Sequence, residues 1–182
     1  MRIITGSARG TKLETLAGDE TRPTTERVKE AIFSMIQFDL EGRRVLDLFG
    51  GSGQMGLEAL SRGAQVATFV DRNADACAVI KRNAQKTHLY EKCRVLNTDW
   101  NAFLRGCREP FDIVFLDPPY AEKLLPQVLR RLTERNLLSE QALIICEDGE
   151  DDIPEAPELT MLRHSKYSHV YVTLFRREGV ES

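Results

Sequence analysis

This 182-residue chain contains no apolar run near the roughly 20 residues of a membrane-spanning helix. Cysteine is sparse: Cys77, Cys93, Cys107 and Cys146, none at C-x-x-C spacing, which excludes a zinc knuckle and a dithiol redox pair. His88, His164 and His169 show no metal-binding spacing either, so no protein-bound metal is expected. The first residues, Met1 to Gly6, lack the apolar stretch of a signal peptide, and a cytoplasmic protein is expected. Internal repeats and low-complexity linkers are missing too. What remains is an ordinary globular composition, 42% hydrophobic and 29% charged, with length enough for a full core.

Net charge is −3, from 25 bases and 28 acids, which on its face argues against a nucleic-acid partner. The distribution argues the other way. Glu147, Asp148, Glu150, Asp151, Asp152, Glu155 and Glu158 crowd into one short stretch without a base. Removing those seven from the 28 leaves 21 acids against 25 bases. Arg2, Arg9 and Lys12 lie in an N-terminal run free of acids. Arg163, Lys166, Arg176 and Arg177 lie in a C-terminal run, also free of acids, with Tyr167 and Tyr171 among them. Two basic ends and an acidic loop describe either a polarised surface for nucleic acid or a solvated surface with chance clustering.

The stretch from Val45 to Gly56 organises the rest. Val45, Leu46 and Leu48 form the apolar run of a strand covered on both faces. Asp47 interrupts it near the strand's end, where an open α/β sheet has its ligand crevice. Gly50, Gly51 and Gly53 allow positive φ and close backbone approach, and Gly56 lets the following helix pack tightly. Gly51-Ser52-Gly53-Gln54-Met55-Gly56 satisfies G-x-G-x-x-G. Alone this is a weak signal; strand before it and helix after it turn it into a nucleotide-like cofactor site.

In chain order, residues 2–5 and 11–16 read as a small hairpin that must dock elsewhere. Thr24 reads as a helix N-cap, and Val28, Ala31, Ile32, Met35 and Ile36 form its core-facing stripe. Met55 to Arg62 is expected as a helix closed by Gly63, and 65–70 as a strand. Asp71 follows about 20 residues after the glycines, where a carboxylate takes ribose hydroxyls. Asn73 caps a helix running to about Thr87, and 94–97 is a third strand. Asp99, beside the flat Trp100, either reaches an adenine amine or serves as a helix cap. Strands at 111–116 and 142–147, a helix at 123–133 and an antiparallel edge hairpin at 160–166 and 169–175 complete the pattern. The fold expected is α/β: a doubly wound, mostly parallel seven-stranded Rossmann-like sheet with an antiparallel edge hairpin. Residues 1–20 form an N-terminal hairpin extension and 21–182 the main domain.

Asp117-Pro118-Pro119-Tyr120 closes the fourth strand. Two prolines stiffen the backbone there and aim the Asp117 carboxylate and the Pro118 carbonyl at one point. Two acceptors suit an N–H₂ group, and the Tyr120 face suits a nucleobase. Such a pair frees the amine lone pair for attack on an electrophilic methyl and stabilises the charge that develops.

With those residues in view, the chain resembles class I S-adenosylmethionine-dependent methyltransferases. Over almost its whole length it is similar to the bacterial 16S rRNA (guanine-N2)-methyltransferase family acting on guanine 966. The resemblance is carried by Arg2 to Gly6, Arg9-Gly10, Lys12-Leu13, Thr21 to Val28, the Asp47–Gly56 motif and Asp117 to Tyr120. Gly50, where the family often has Ala, and Ser168, where Gly is common, depart from it. The resemblance implies that Asp47, Phe49, Gly50, Gly51, Ser52, Gly53, Met55 and Gly56 hold the methionine part of S-adenosylmethionine, with Arg22, Thr24 and Thr25 closing over it. It implies Asp71, Arg72 and Asn73 around the ribose, Asp99 and Trp100 at the adenine, and Asp117, Pro118, Pro119 and Tyr120 at the flipped guanine. Arg2, Arg9, Lys12, Arg27, Lys166 and Arg176 would contact 16S rRNA within the assembling small ribosomal subunit, a monomer acting without a membrane.

Three other functions stay open at this point. An adenine-N6 methyltransferase would use the same Asp-Pro-Pro-Tyr. An NAD-dependent oxidoreductase shares the glycine fingerprint but has no use for Asp47 or Asp117. A non-catalytic nucleic-acid module would explain the basic ends alone.

Overall fold

The computed structural model of the chain describes residues 1–17 and 23–179, with the backbone alone at 23–25. Seven strands form one sheet: β1 Arg44–Asp47, β2 Val66–Asp71, β3 Cys93–Asn97, β4 Phe111–Leu116, β5 Leu138–Asp148, β6 Thr160–Tyr167 and β7 Val170–Arg176. Their order is β3-β2-β1-β4-β5-β7-β6. The first five pair in parallel, while β7 runs antiparallel to both β5 and β6. The expected sheet and its edge hairpin are therefore present.

The helices are α1 Pro23–Ile36, α2 Gln54–Ser61, α3 Ala74–Lys86, α4 Trp100–Gly106 and α5 Leu125–Glu134. Successive strand residues point to opposite faces, and each face has its own core. Val45, Phe69, Ile113, Phe115 and Ile145 pack with Val28, Ile32, Phe33 and Ile36 of α1, and with Leu57, Leu60 and Ile80. Leu46, Val70, Val114, Leu116 and Ile144 pack on the other face with Leu104 of α4 and Val128, Leu129 and Leu132 of α5. Covering on both faces is why β4 is apolar at nearly every position.

Some boundaries differ from the sequence pattern. Helix α1 begins at Pro23, so Thr24 lies in its first turn instead of capping it; proline presets the φ of a first helical residue. Helix α4, short but with Trp100, Phe103, Leu104 and the following Cys107 on one face, follows Asp99, and β5 starts at Leu138 rather than 142.

The N-terminal hairpin shrinks to one bridge, Arg2 with Lys12, flanked by Ile3 N–H donating to the Thr11 carbonyl at 2.9 Å and Leu13 N–H to Met1 at 2.7 Å. The ladder stops because its next donors go elsewhere. Ile4 and Thr5 N–H donate to the Glu58 carboxylate at 2.8 and 3.1 Å. Ser7 and Ala8 N–H donate to the carbonyl and hydroxyl of Ser61.

Glu58 is fully buried in α2 and also takes Lys29 Nζ and Arg62 Nε, each at 3.0 Å. Lys29, 1% exposed, donates in addition to the Arg2 carbonyl at 2.9 Å. Burial works against the charge on Glu58; the Lys29 charge and the Ile4 N–H outweigh it and hold the carboxyl below its ordinary range. Burial pulls Lys29 down despite Glu58. The carboxylate, with four donors, is the better satisfied partner. We expect Glu58→Ala, which strands a buried ammonium, to lower stability by about 3–5 kcal/mol in urea unfolding. A loss below about 1 kcal/mol would show that the cluster is not a structural tie.

Candidate functional site

The site begins at the turn after β1. Gly51 (φ +57°) and Gly53 (φ +81°) take the left-handed conformation, and Gly53 starts α2. A Cβ on Gly51 would meet nothing within 4 Å, so the backbone is open on that side. A Cβ on Gly56 would lie 2.4 Å from Phe69 Cε1, so α2 packs on β2 only because this residue has no side chain.

Carboxylates hold the turn in shape. Asp71, at the end of β2, accepts Gly51 N–H at 3.0 Å and Asn73 N–H at 2.8 Å. Each oxygen keeps a lone pair for another donor. Asn73 caps α3 by accepting Asp75 N–H at 2.9 Å. Asp99 caps α4, with Oδ1 accepting Asn101 and Ala102 N–H at 2.8 and 3.0 Å. The cap thus occupies one oxygen of Asp99, and the residue still borders the cleft.

Strand order reverses between β1 and β4, and a cleft of about 690 Å³ opens there at the strands' C-terminal ends. One wall carries Phe49, Gly51, Asp71, Arg72, Asp99 and Trp100; the other carries Asp117, Pro118, Pro119 and Tyr120. The two motifs, distant in sequence, face each other. Arg72 and Glu122 pair across them at 3.1 Å. The backbone after Pro119 makes a short 3₁₀ turn, Tyr120–Glu122, and Tyr120 hydrogen-bonds Asp117.

The charge at this end of the sheet is dense. Asp47, 4% exposed, lies beneath the glycine turn and not on the cleft wall; it accepts Gly56 N–H at 3.2 Å. Burial pushes its pKa up to about 8; the Gly56 bond lowers it, while Asp117 and Asp71 raise it further. Glu147, at the end of β5, is likewise raised by burial and then by Asp117 and Asp47. Burial and the charges of Asp117, Glu147 and Asp148 push the Tyr120 hydroxyl up, so it stays a neutral donor.

The family described as "Conserved hypothetical protein 95" matches residues 1–176. The chain belongs to this family. It is 35% identical over 181 residues to ribosomal RNA small subunit methyltransferase D of Escherichia coli, covering 98% of this chain and 91% of the relative. It is 41% identical over 184 residues to the YlbH protein of Bacillus subtilis, covering 98% and 100%. The solved structure of yhhF from Escherichia coli superposes with a TM-score of 0.87 at 35% identity, over 98% of both chains.

Within the family fold, several expected residues stand apart from the cleft. Ser52, Gly53 and Met55 are in the turn and first helical residues; Ser52 is held from behind, its carbonyl accepting Asn83 Nδ2 at 2.9 Å. Gly50 sits against Ile80 and donates its N–H to Val70. Arg22 lies outside the described residues, as do the side chains of Thr24 and Thr25. Of the expected RNA contacts, Arg9, Lys12 and Arg27 are exposed, Arg2 pairs with Glu26 at 3.4 Å, and Lys166 lies 5.4 Å above the Tyr171 ring. Arg176 lies away from the strand ends that form the cleft, level with Leu143 in the middle of β5 and bordering a separate cavity with Asp39, Asp112 and Glu140. Sequence reading missed Leu16, Thr98 and Leu124 on the cleft and Asn83 behind the turn. Thr98 immediately precedes the capping Asp99, a position that could have been inferred; Leu16 and Asn83 carry no local signal.

Because the folded Asp47 carboxyl binds its proton more tightly than the unfolded one, stability attributable to it falls as pH rises from about 4 to about 8. We expect Asp47→Asn to flatten that part of the profile, checked by urea unfolding at pH 5 and pH 8. An unchanged slope would show that Asp47 is not the group responsible.

Proposed function

We propose that the chain transfers a methyl group from S-adenosylmethionine to the exocyclic N2 amine of a guanine, position 966, in 16S rRNA of the assembling small ribosomal subunit, acting as a monomer. The observation that carries this reading is the meeting of the open glycine turn and the rigid Asp117–Tyr120 corner across one cleft at the β1/β4 reversal. The relative in Escherichia coli, named for methylation of small-subunit ribosomal RNA, supports it. One chain carries both walls, which supports a monomer.

The residues fit S-adenosylmethionine. The cleft is of ligand size, and Gly51 leaves bare backbone on its floor. Asp71 and Asp99 offer acceptors along one wall beside the flat Trp100. When bound, the cofactor supplies a methyl group on a positively charged sulfur. The chain does the rest by positioning. Asp117 and the Pro118 carbonyl accept the two N–H protons of the guanine amine and draw its nitrogen toward sp³, which frees the lone pair. Tyr120 stacks on the base. Asp117 stabilises the positive charge on nitrogen as the new bond forms, and the surplus proton then leaves toward it. Holding the amine in line with the methyl contributes the remaining acceleration. Arg2, Arg9, Lys12, Arg27 and Lys166 would hold RNA phosphates; Arg176, away from the cleft, would do so only on a separate part of the surface.

Two measurements test this. Labelled S-adenosylmethionine incubated with undermethylated small subunits should give N2-methylguanosine on nucleoside analysis; N6-methyladenosine would replace guanine as the target. Asp117→Ala should keep thermal stabilisation by S-adenosylhomocysteine and lose at least about 100-fold in turnover. Retained turnover would remove Asp117 from the chemistry.

A further inference from the structure

Beside the cleft lies a second cavity of about 130 Å³ that shares Pro118, Pro119 and Tyr120 with it and is closed by Glu147 and Asp148. Leu116 of β4 is in register with Cys146 of β5, so Asp117 and Glu147 follow as neighbours at adjacent strand ends. Among the described residues, no lysine, arginine or histidine pairs with Glu147. Its charge is instead crowded by Asp117 and Asp47. Two residues later, a Cβ on Gly149 would lie 2.7 Å from Tyr120 Cδ2, so the end of β5 runs flush against the Tyr120 ring. A base stacked on Tyr120 with its amine at Asp117 and its N1 side turned toward β5 would present that part of its edge to Glu147.

That neighbouring atom differs between bases. In guanine the 2-amine adjoins N1–H, a second donor. In adenine the 6-amine adjoins N1, and in cytosine the 4-amine adjoins N3, both bare acceptors. A wall of acid oxygens matches two adjoining donors and repels an amine flanked by a lone pair. We infer that Glu147 is a specificity-determining residue that accepts the N1–H of the target guanine, so that Asp117 and Glu147 together read N2–H and N1–H. The inference rests on the guanine-N2 reading above and names the residue that enforces it. Glu147 discriminates in its ionised form, which can only accept; a protonated carboxyl could also donate to a bare N1.

The test uses small subunits reconstituted with 16S rRNA carrying either guanine or 2-aminopurine at the target position. 2-Aminopurine keeps the 2-amine and replaces N1–H by a bare acceptor. The wild-type chain should favour guanine by at least about 100-fold in kcat/KM. Glu147→Gln, whose amide can turn a donor toward N1, should narrow that ratio below about 10-fold while keeping thermal stabilisation by S-adenosylhomocysteine. A ratio unchanged in Glu147→Gln overturns the inference. Equal use of both bases by the wild type overturns it too, even if the variant does not fold. Absence of any transfer to guanine would fail the guanine-N2 reading itself, a result distinguishable from the other two.

Discussion

A buried carboxylate on α2 constrains the architecture around the site. Glu58 gathers two backbone amides of the N-terminal segment, the ammonium of Lys29 from α1 and the guanidinium of Arg62 one turn on. Ionised groups leave water only when their lone pairs and protons are all engaged, so the geometry tolerates little drift. The N-terminal segment and α1, which share an apolar core with α2, are thereby also locked to it by charge, and the N-terminal end of that helix is the glycine turn. The same segment reaches the turn a second way: Asn83 on α3 donates to both Glu14 and Ser52 carbonyls and accepts Glu14 N–H. The floor of the cleft is thus held by polar ties from outside the sheet.

On that foundation, the wall proposed for the cofactor is a matter of backbone shape more than of side chains. Phe69 occupies the volume that a side chain at position 56 would need, and Asp71 fixes Gly51 through a main-chain bond. The opposite wall is made differently. Prolines and a short 3₁₀ turn fix Asp117 and Tyr120, and the end of β5 supports the tyrosine ring from behind. A permissive wall suits a flexible cofactor; a stiff one suits a planar base whose amine must be aligned.

The sheet, its order of elements and both cleft walls were legible in the sequence because each rests on local grammar: apolar runs, glycine turns, an Asp-Pro-Pro corner. Glu58 and Lys29 were not, since each looks like an ordinary solvated charge on a helix until the chain places them 3.0 Å apart. Helix α4 was only half legible: Asp99 reads as a cap or an adenine contact, and the helix it caps has just seven residues with Leu104 alone fully buried. The hairpin is shorter than its sequence pattern for a related reason: the amides of Ile4 and Thr5 go to a carboxylate 54 and 53 residues away instead of to a neighbouring strand. Arg176 shows a similar limit for charge, since a run of bases in sequence does not reveal that an antiparallel hairpin sets Lys166 and Arg176 at different levels of the sheet.

The reversal of strand order between β1 and β4 also sets a schedule. Strands β1, β2 and β3 are made first and can pair among themselves, but the free side of β1 finds its partner only when Phe111–Leu116 has been synthesised. Until then the chain presents an unpaired parallel edge built from Val45 and Leu46, the kind of edge that invites aggregation. β5 must wait still longer for β7, which is made after β6 yet lies between them. Glycine turn first, Asp-Pro-Pro corner second, edge hairpin last: a chain cut short between Trp100 and Phe111 would carry half a cleft and one sticky strand.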